Sequence, residues 1–283
     1  MFQKLEQKVL LSGLSSSTLY NYGRSIAHLA LHFQCVPLEL SDDTINEYLL
    51  ELKTGKNPSE SYFKHTVYGL RFLFRLFERE DRAIALPPIA RSKKLPVVLN
   101  RAEVLRLLRA PKRVKHRILL GLTYAAGLRL FEVRALQIAD IDFVRKTVFV
   151  RRGKNGKSRY VPVGDDILRG IRKYLSAVNP RTFLFEGRAK GTAMVGRSVQ
   201  NICKETVKKA GLLKSVSMHT LRHSYATHFL EDTNDLFSLK ENLGHARIET
   251  TLIYVHIVGR VERHAAYSPL EKVMQLGRDK GKN

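Results

Sequence analysis

The sequence predicts a mainly α-helical protein with a small β-hairpin, divided into two domains. Three observations carry that prediction. Apolar residues recur at helical spacing through most of the chain. One stretch, KTVFVRRGKNGKSRYVPV, instead places β-rich runs on either side of an Asn155-Gly156 turn signal. A basic, proline-rich segment, ALPPIARSKKLPVVLN, interrupts the helical pattern between them. With 283 residues the chain is long enough for two modest cores.

Residues 1 to about 85 read as helices. In SSSTLYNYGRSIAHLALHF, Ser and Thr offer caps, and Leu19, Tyr22, Ile26, Leu29 and Phe33 follow at helical spacing. LSDDTINEYLLELK repeats the pattern with Ile45, Tyr48, Leu49 and Leu52 inward. SESYFKHTVYGLRFLFRLFER gives a third helix, leaving Lys64, Arg71, Arg75 and Arg79 for a polar face. Pro87, Pro88 and Pro96 mark a linker over 87–98, so the domains are expected at 1–86 and 99–283. The second begins at Asn100, which forms a capping-box pattern with Glu103. RILLGLTYAAG then reads as a buried helix stopped by Gly127. After the hairpin, DDILRGIRKYLSAV reads as a helix capped by Asp165 or Asp166.

Charge narrows the partners. Forty-nine Lys and Arg against 26 Asp and Glu leave a formal net charge of +23. So basic a protein is expected to meet nucleic acid, through phosphate neutralisation and counterion release. A membrane surface is the weaker partner, because no basic amphipathic helix stands apart from the folded pattern. No apolar run approaches the roughly 20 residues of a membrane span. The amino terminus MFQKLEQKVL lacks the apolar core of a signal peptide, and Cys35 and Cys203 match no metal spacing. A cytoplasmic location is the resulting expectation.

The chemistry concentrates between His219 and His256, in HTLRHSYATHFLEDTNDLFSLKENLGHARIETTLIYVH. Leu221, Tyr225 and Phe229 give its first part a buried stripe, while His219 and Arg222, three apart, share another face. His245 follows in the LGH turn. Tyr254 closes the stretch in TTLIY, a run too mixed for a simple core helix. A phenol beside such cations suits attack of tyrosine oxygen on a phosphodiester, with arginine and histidine neutralising the non-bridging oxygens. Arg129 lies just past the Gly127 stop, with Glu132 one turn on, and the hairpin gathers Arg151, Arg152, Lys154 and Lys157. A lysine at such a tip can protonate a leaving 5′ oxygen. His219, His223 and His228 lack an acidic or cysteine partner at ligand spacing, and Arg222 would oppose a cation, so no metal is expected.

Taken together, AGLRLFEV, RRGKNGKSRYVPV, HTLRHSYATHF and LGHARIETTLIYVH resemble, in order, the signature of the tyrosine recombinases, the phage-integrase and Xer-type enzymes. The resemblance covers most of residues 100 to 257; the amino-terminal module fits the family's helical core-binding domain by size and helical content. It implies a site-specific recombinase that breaks and rejoins DNA through a 3′-phosphotyrosyl link, without ATP, metal or other cofactor. Position by position, Arg129 resembles the first catalytic arginine and Glu132 its acidic partner. His219 and Arg222 resemble the H-x-x-R pair, His245 the second histidine and Tyr254 the nucleophile. Lys154 resembles the hairpin general acid, with Lys157 its rival, and His223 is expected to orient its helix. The resemblance further implies double-stranded DNA and a homo-tetramer on synapsed sites, or a hetero-partner recombinase, with the carboxy-terminal segment packed on a neighbour.

Two departures from the family pattern stand out. EDTNDLFSLKEN replaces a more apolar, glycine-containing run, which is expected to loosen or re-aim the His245 turn. Phe131 replaces a small polar residue and is expected to alter packing. A relaxing topoisomerase of related chemistry is disfavoured by the recombinase motifs and the compact size. A DNA-binding relic would have lost Arg129, Arg222 or Tyr254, and all three are present.

Overall fold

A computed structural model describes residues 2–55, 59–89, 95–151 and 158–262. The chain divides into two compact units, 1–93 and 94–283. The first holds helices α1 (Phe2–Leu11), α2 (Ser16–Phe33), α3 (Asp42–Thr54), α4 (Glu60–Leu76) and α5 (Glu80–Ala85). Ser15, Ser41 and Ser59 each accept a hydrogen bond from a backbone N–H of the first turn, so α2, α3 and α4 start where a serine satisfies an otherwise orphaned donor. Leu29, Ile45, Tyr48, Leu49, Leu70 and Phe74 form its core. The arginines expected on the polar face of α4 are already engaged. Arg71 turns inward to the carbonyls of Ala83, Leu86 and Pro87, and Arg75 and Arg79 pair with Glu80 and Asp81.

The second unit opens with α6 (Arg101–Arg109), where Asn100 and Glu103 close the anticipated capping box. The buried helix α7 (Val114–Ala125) ends at Gly127, whose φ of +57° is left-handed. A Cβ there would lie 2.4 Å from the Tyr225 ring, so glycine is required twice over. Then come α8 (Leu130–Ala135), a single 3₁₀ turn, and an antiparallel meander of β1 (Ile141–Asp142), β2 (Thr147–Val150) and β3 (Arg159–Pro162). The expected hairpin is thus the longer part of a three-stranded sheet. Val148 pairs with Val161, both fully buried, and Val150 pairs with Arg159. The Asn155-Gly156 turn, Arg152, Lys154 and Lys157 lie outside the described residues; Arg151 is bound to the buried Asp140 at 2.5 Å.

Helices α9 (Asp165–Val178) and α10 (Gly196–Lys209) complete the main core, with Ile171, Tyr174 and Val199 fully buried. Gly164 rather than an aspartate is the N-cap of α9, and Asp165 instead pairs with Lys146. A smaller cluster forms where α11 (Met218–Thr233) meets α12 (Leu236–Leu243) and α13 (Glu249–Glu262). The Tyr254 stretch is therefore helical despite its β-branched residues. Helix α11 is buried beyond its apolar stripe: the polar Arg222, Ser224, Thr227 and His228 are buried with Leu221. Phe131 is exposed under the Arg134 guanidinium, so it leaves the core packing untouched. Among the described residues no helix is long and apolar enough to cross a membrane.

Candidate active site

The site is assembled around one buried carboxylate. The Glu132 side chain accepts from the Arg129 backbone N–H and Nη1, both at 2.8 Å. Its two oxygens also accept from Arg159 Nη1 and Nη2 at 3.0 and 2.9 Å, a bidentate pair. Arg222 Nη1 stands 3.8 Å away. Burial alone would raise the Glu132 pKa, but the hydrogen bonds and charge of Arg159, with those of Arg129, carry it down to about 2. Glu132 is thus ionised across the working range, and it faces three permanent cations.

Arg222 is held by main-chain oxygens. Its Nη1 donates to Gly127 O and its Nη2 to Leu243 O, each at 2.7 Å. Both acceptors sit at helix C-termini, where carbonyls lack intrahelical partners. Burial, then the nearby Arg129, brings its pKa to about 10, so it stays charged at neutral pH. The guanidinium is fixed by the fold before any substrate arrives, which electrostatic stabilisation of a developing charge requires.

Arg222 Nη2 also reaches His245 Nε2 at 3.1 Å, and His245 Nδ1 reaches Thr251 Oγ1 at 2.9 Å. A guanidinium only donates, so Nε2 must accept and Nδ1–H must donate to Thr251. Burial and the Arg222, Arg129 and Arg159 cations hold the imidazole at about 4, neutral at pH 7. The turn that carries it is firm: Gly244 caps α12 with φ of +62°, and the His245 N–H donates to Lys240 O. The expected loosening by Lys240, Glu241 and Asn242 does not occur. The Asn242 carbonyl in fact accepts from Arg159 Nε at 2.7 Å.

Tyr254 lies on α13, 2% exposed, its hydroxyl 2.9 Å from His223 Nδ1. Burial raises its pKa, and the Arg222 and Arg129 cations oppose that rise. His219 stands at the solvent edge of the same face of α11 as His223; desolvation and the two arginines lower its pKa. The geometry therefore gathers Arg129, His219, Arg222, His245 and Tyr254. Lys154 lies outside the described residues. His228 is turned away, bound through Nδ1 to the Tyr124 hydroxyl at 2.8 Å.

Two contributors, Arg159 and Thr251, escaped the sequence reading, and a third, His223, had been expected only to orient its helix. Arg159 had a legible signal, since it shares a strand face with buried Val161, and a cation there demands an acid. His223 lies one turn beyond His219, so its reach toward the phenol was half legible. Thr251 gave no signal.

A model of the Phage integrase family matches residues 97–259, and a model of the phage integrase N-terminal SAM-like domain matches residues 1–83. A tyrosine recombinase of Thermosipho africanus is 31% identical over 257 residues, covering 86% of this chain and 89% of that protein. The tyrosine recombinase XerD of Staphylococcus aureus is 30% identical over 266 residues, covering 87% and 89%. A lambda integrase tetramer bound to a Holliday junction shares the fold, with a TM-score of 0.72 at 18% identity over 88% of this chain and 75% of that one. With both units matched and the relatives spanned nearly end to end, the chain belongs to the tyrosine recombinases of the phage integrase family, site-specific enzymes that cut and rejoin DNA through a 3′-phosphotyrosyl intermediate.

Proposed function

We propose that Tyr254 is the nucleophile of a site-specific strand transfer on double-stranded DNA, with Arg129 and Arg222 neutralising the scissile phosphate. The observation that carries this reading is the surplus of fixed cations around Glu132, beside a tyrosine hydroxyl in the same cluster. As the phenol oxygen adds to phosphorus, negative charge builds on the non-bridging oxygens, and two guanidiniums held in place meet it without reorganising. His219 hydrogen-bonds the phosphate, His245 holds the Arg222 guanidinium through Nε2, and Lys154, with Lys157 as its rival, protonates the leaving 5′ oxygen. The phosphotyrosyl link stores the bond energy, so rejoining needs no ATP, and the arginines take the place of a metal.

Residues 1–86 serve as the core-binding module, 87–98 as a basic strap, and 99–283 as the catalytic domain. The working form is a tetramer on synapsed sites in the cytoplasm, made of this chain alone or with a partner recombinase. The likeness to the lambda integrase tetramer supports that assembly.

Covalent trapping tests the reading. Nicked suicide duplexes drawn from DNA flanking the gene are incubated with protein in EDTA. An adduct that vanishes in Tyr254→Phe is expected; an adduct that survives in the variant removes Tyr254 from the role. A duplex with sulfur in the bridging 5′ position supplies a leaving group that needs no acid. It should restore cleavage to Lys154→Ala if that lysine is the general acid.

A further inference from the structure

We propose that His223 is a catalytic residue of this reaction, the acceptor of the Tyr254 phenol proton. The assignment rests on the proposed nucleophilic role of Tyr254. Among the histidines of the site, His223 is the one hydrogen-bonded to the reacting oxygen, at 2.9 Å, with ring centroids 5.8 Å apart. His245 is occupied on both nitrogens, by Arg222 and Thr251, and so has no free lone pair for the phenol. His219 is exposed, with its ring centroid 6.4 Å from that of His223.

A tyrosine hydroxyl is a poor nucleophile until its proton leaves, and here burial raises its pKa further. His223 is neutral at pH 7, its pKa lowered to about 4 by burial and by His219 and Arg222. A neutral imidazole can accept through Nδ1 when Nε2 carries the hydrogen. The groups that set its basicity are His219 and Arg222 on α11, Tyr254 on α13 and His245 in the preceding turn. A phosphate anion seated against the arginines offsets their charge and moves His223 upward, toward the pH at which a base works best.

The step balances. The Tyr254 O–H bond breaks and its proton goes to His223 Nδ1; the oxygen bonds phosphorus; the P–O5′ bond breaks and the 5′ oxygen takes a proton from the general acid. Rejoining reverses each transfer, and His223 returns the proton to the phenol.

The test is single-turnover cleavage of the suicide duplex by wild type, His223→Gln and His223→Ala, from acid to alkaline pH. Glutamine keeps a hydrogen-bond acceptor but cannot take the proton, so it separates holding from proton transfer. DNA binding by gel shift and the thermal unfolding profile report whether each variant folds. The expected result is normal binding with cleavage slowed about a hundredfold or more in both variants. Their rates should climb about tenfold per pH unit through the alkaline range, as the phenol of Tyr254 ionises on its own, where wild type is flat. Unchanged cleavage in His223→Gln overturns the role, and faster cleavage makes the contact a latch instead. If wild type forms no adduct, the Tyr254 reading falls and this one with it.

Discussion

Each unit of this protein buries a charged side chain, and the two solve the problem in opposite ways. In the first, the Arg82 guanidinium is 6% exposed and every direction is answered. It donates to Asp42 at 2.6 Å, to Leu38 O at 3.0 Å and to Leu40 O at 2.6 Å, and stacks 4.5 Å from the Phe74 ring. In the second, one carboxylate, Glu132, stands among Arg129, Arg159 and Arg222. The first knot is balanced and ties helices together. The second is left short of negative charge, an arrangement that costs stability when empty and stabilises a bound phosphate. A buried ion pair becomes legible as function when its charges fail to cancel.

The sharpest way to break this comparison is to remove one cation from each knot. Arg222→Ala should lower single-turnover cleavage by about 10²–10³-fold or more. Arg82→Ala should leave the cleavage rate of the folded fraction within about twofold at saturating protein. Equal losses would mean that both knots are scaffolding.

Stability offers the next contrast. Glu132→Gln leaves three guanidiniums without their anion and should cost about 3–5 kcal/mol in denaturant unfolding. Arg82→Met keeps an apolar stem against Phe74 but strands two carbonyls, for about 1–3 kcal/mol. A smaller loss from Glu132→Gln than from Arg82→Met would remove the electrostatic account of the second knot.

A weaker effect is expected from pH. His223 and His245 have folded pKa values of about 4, below the 6.5 of a free imidazole. Between those limits the unfolded chain binds protons that the folded site refuses, so stability is full above about 6.5 and declines as pH falls toward about 4. The melting temperature of the second unit should drop over that window, and a His223→Gln, His245→Gln double variant should flatten the slope. A slope unchanged in the double variant would place the titrating groups elsewhere. The smallest effect belongs to an exposed pair, Arg101 with Asp232 at 2.7 Å, where Arg101→Ala should cost less than ~1 kcal/mol.

Much of this was readable in the residues, for reasons that differ by element. His219 and Arg222 were legible together because one helix fixes their relation. Asn100 with Glu103, and Gly127, were legible because caps depend on local chemistry. The tyrosine helix was not, since Thr250, Thr251, Ile253 and Val255 blur a helical pattern that packing against α11 then enforces. Nor could the anchoring of Arg222 be read, because the direction of a carbonyl is a property of the folded backbone. The hairpin tip with Lys154 lies outside the described residues, so its identification rests on motif order alone.

The way Arg222 and Arg159 are anchored bears on how such a site can drift through generations. Leu243 and Asn242 hold them through main-chain oxygen, which every amino acid carries. Replacement of either side chain leaves the acceptor where it was, provided the helix end keeps its course. The run before the LGH turn can therefore change its side chains while the two guanidiniums keep their aim. What such a lineage cannot change freely is the backbone bend itself, at Gly127 and Gly244, where left-handed φ values of +57° and +62° leave almost no room for a side chain. Variation is tolerated beside the charges and is refused at the hinges that point them.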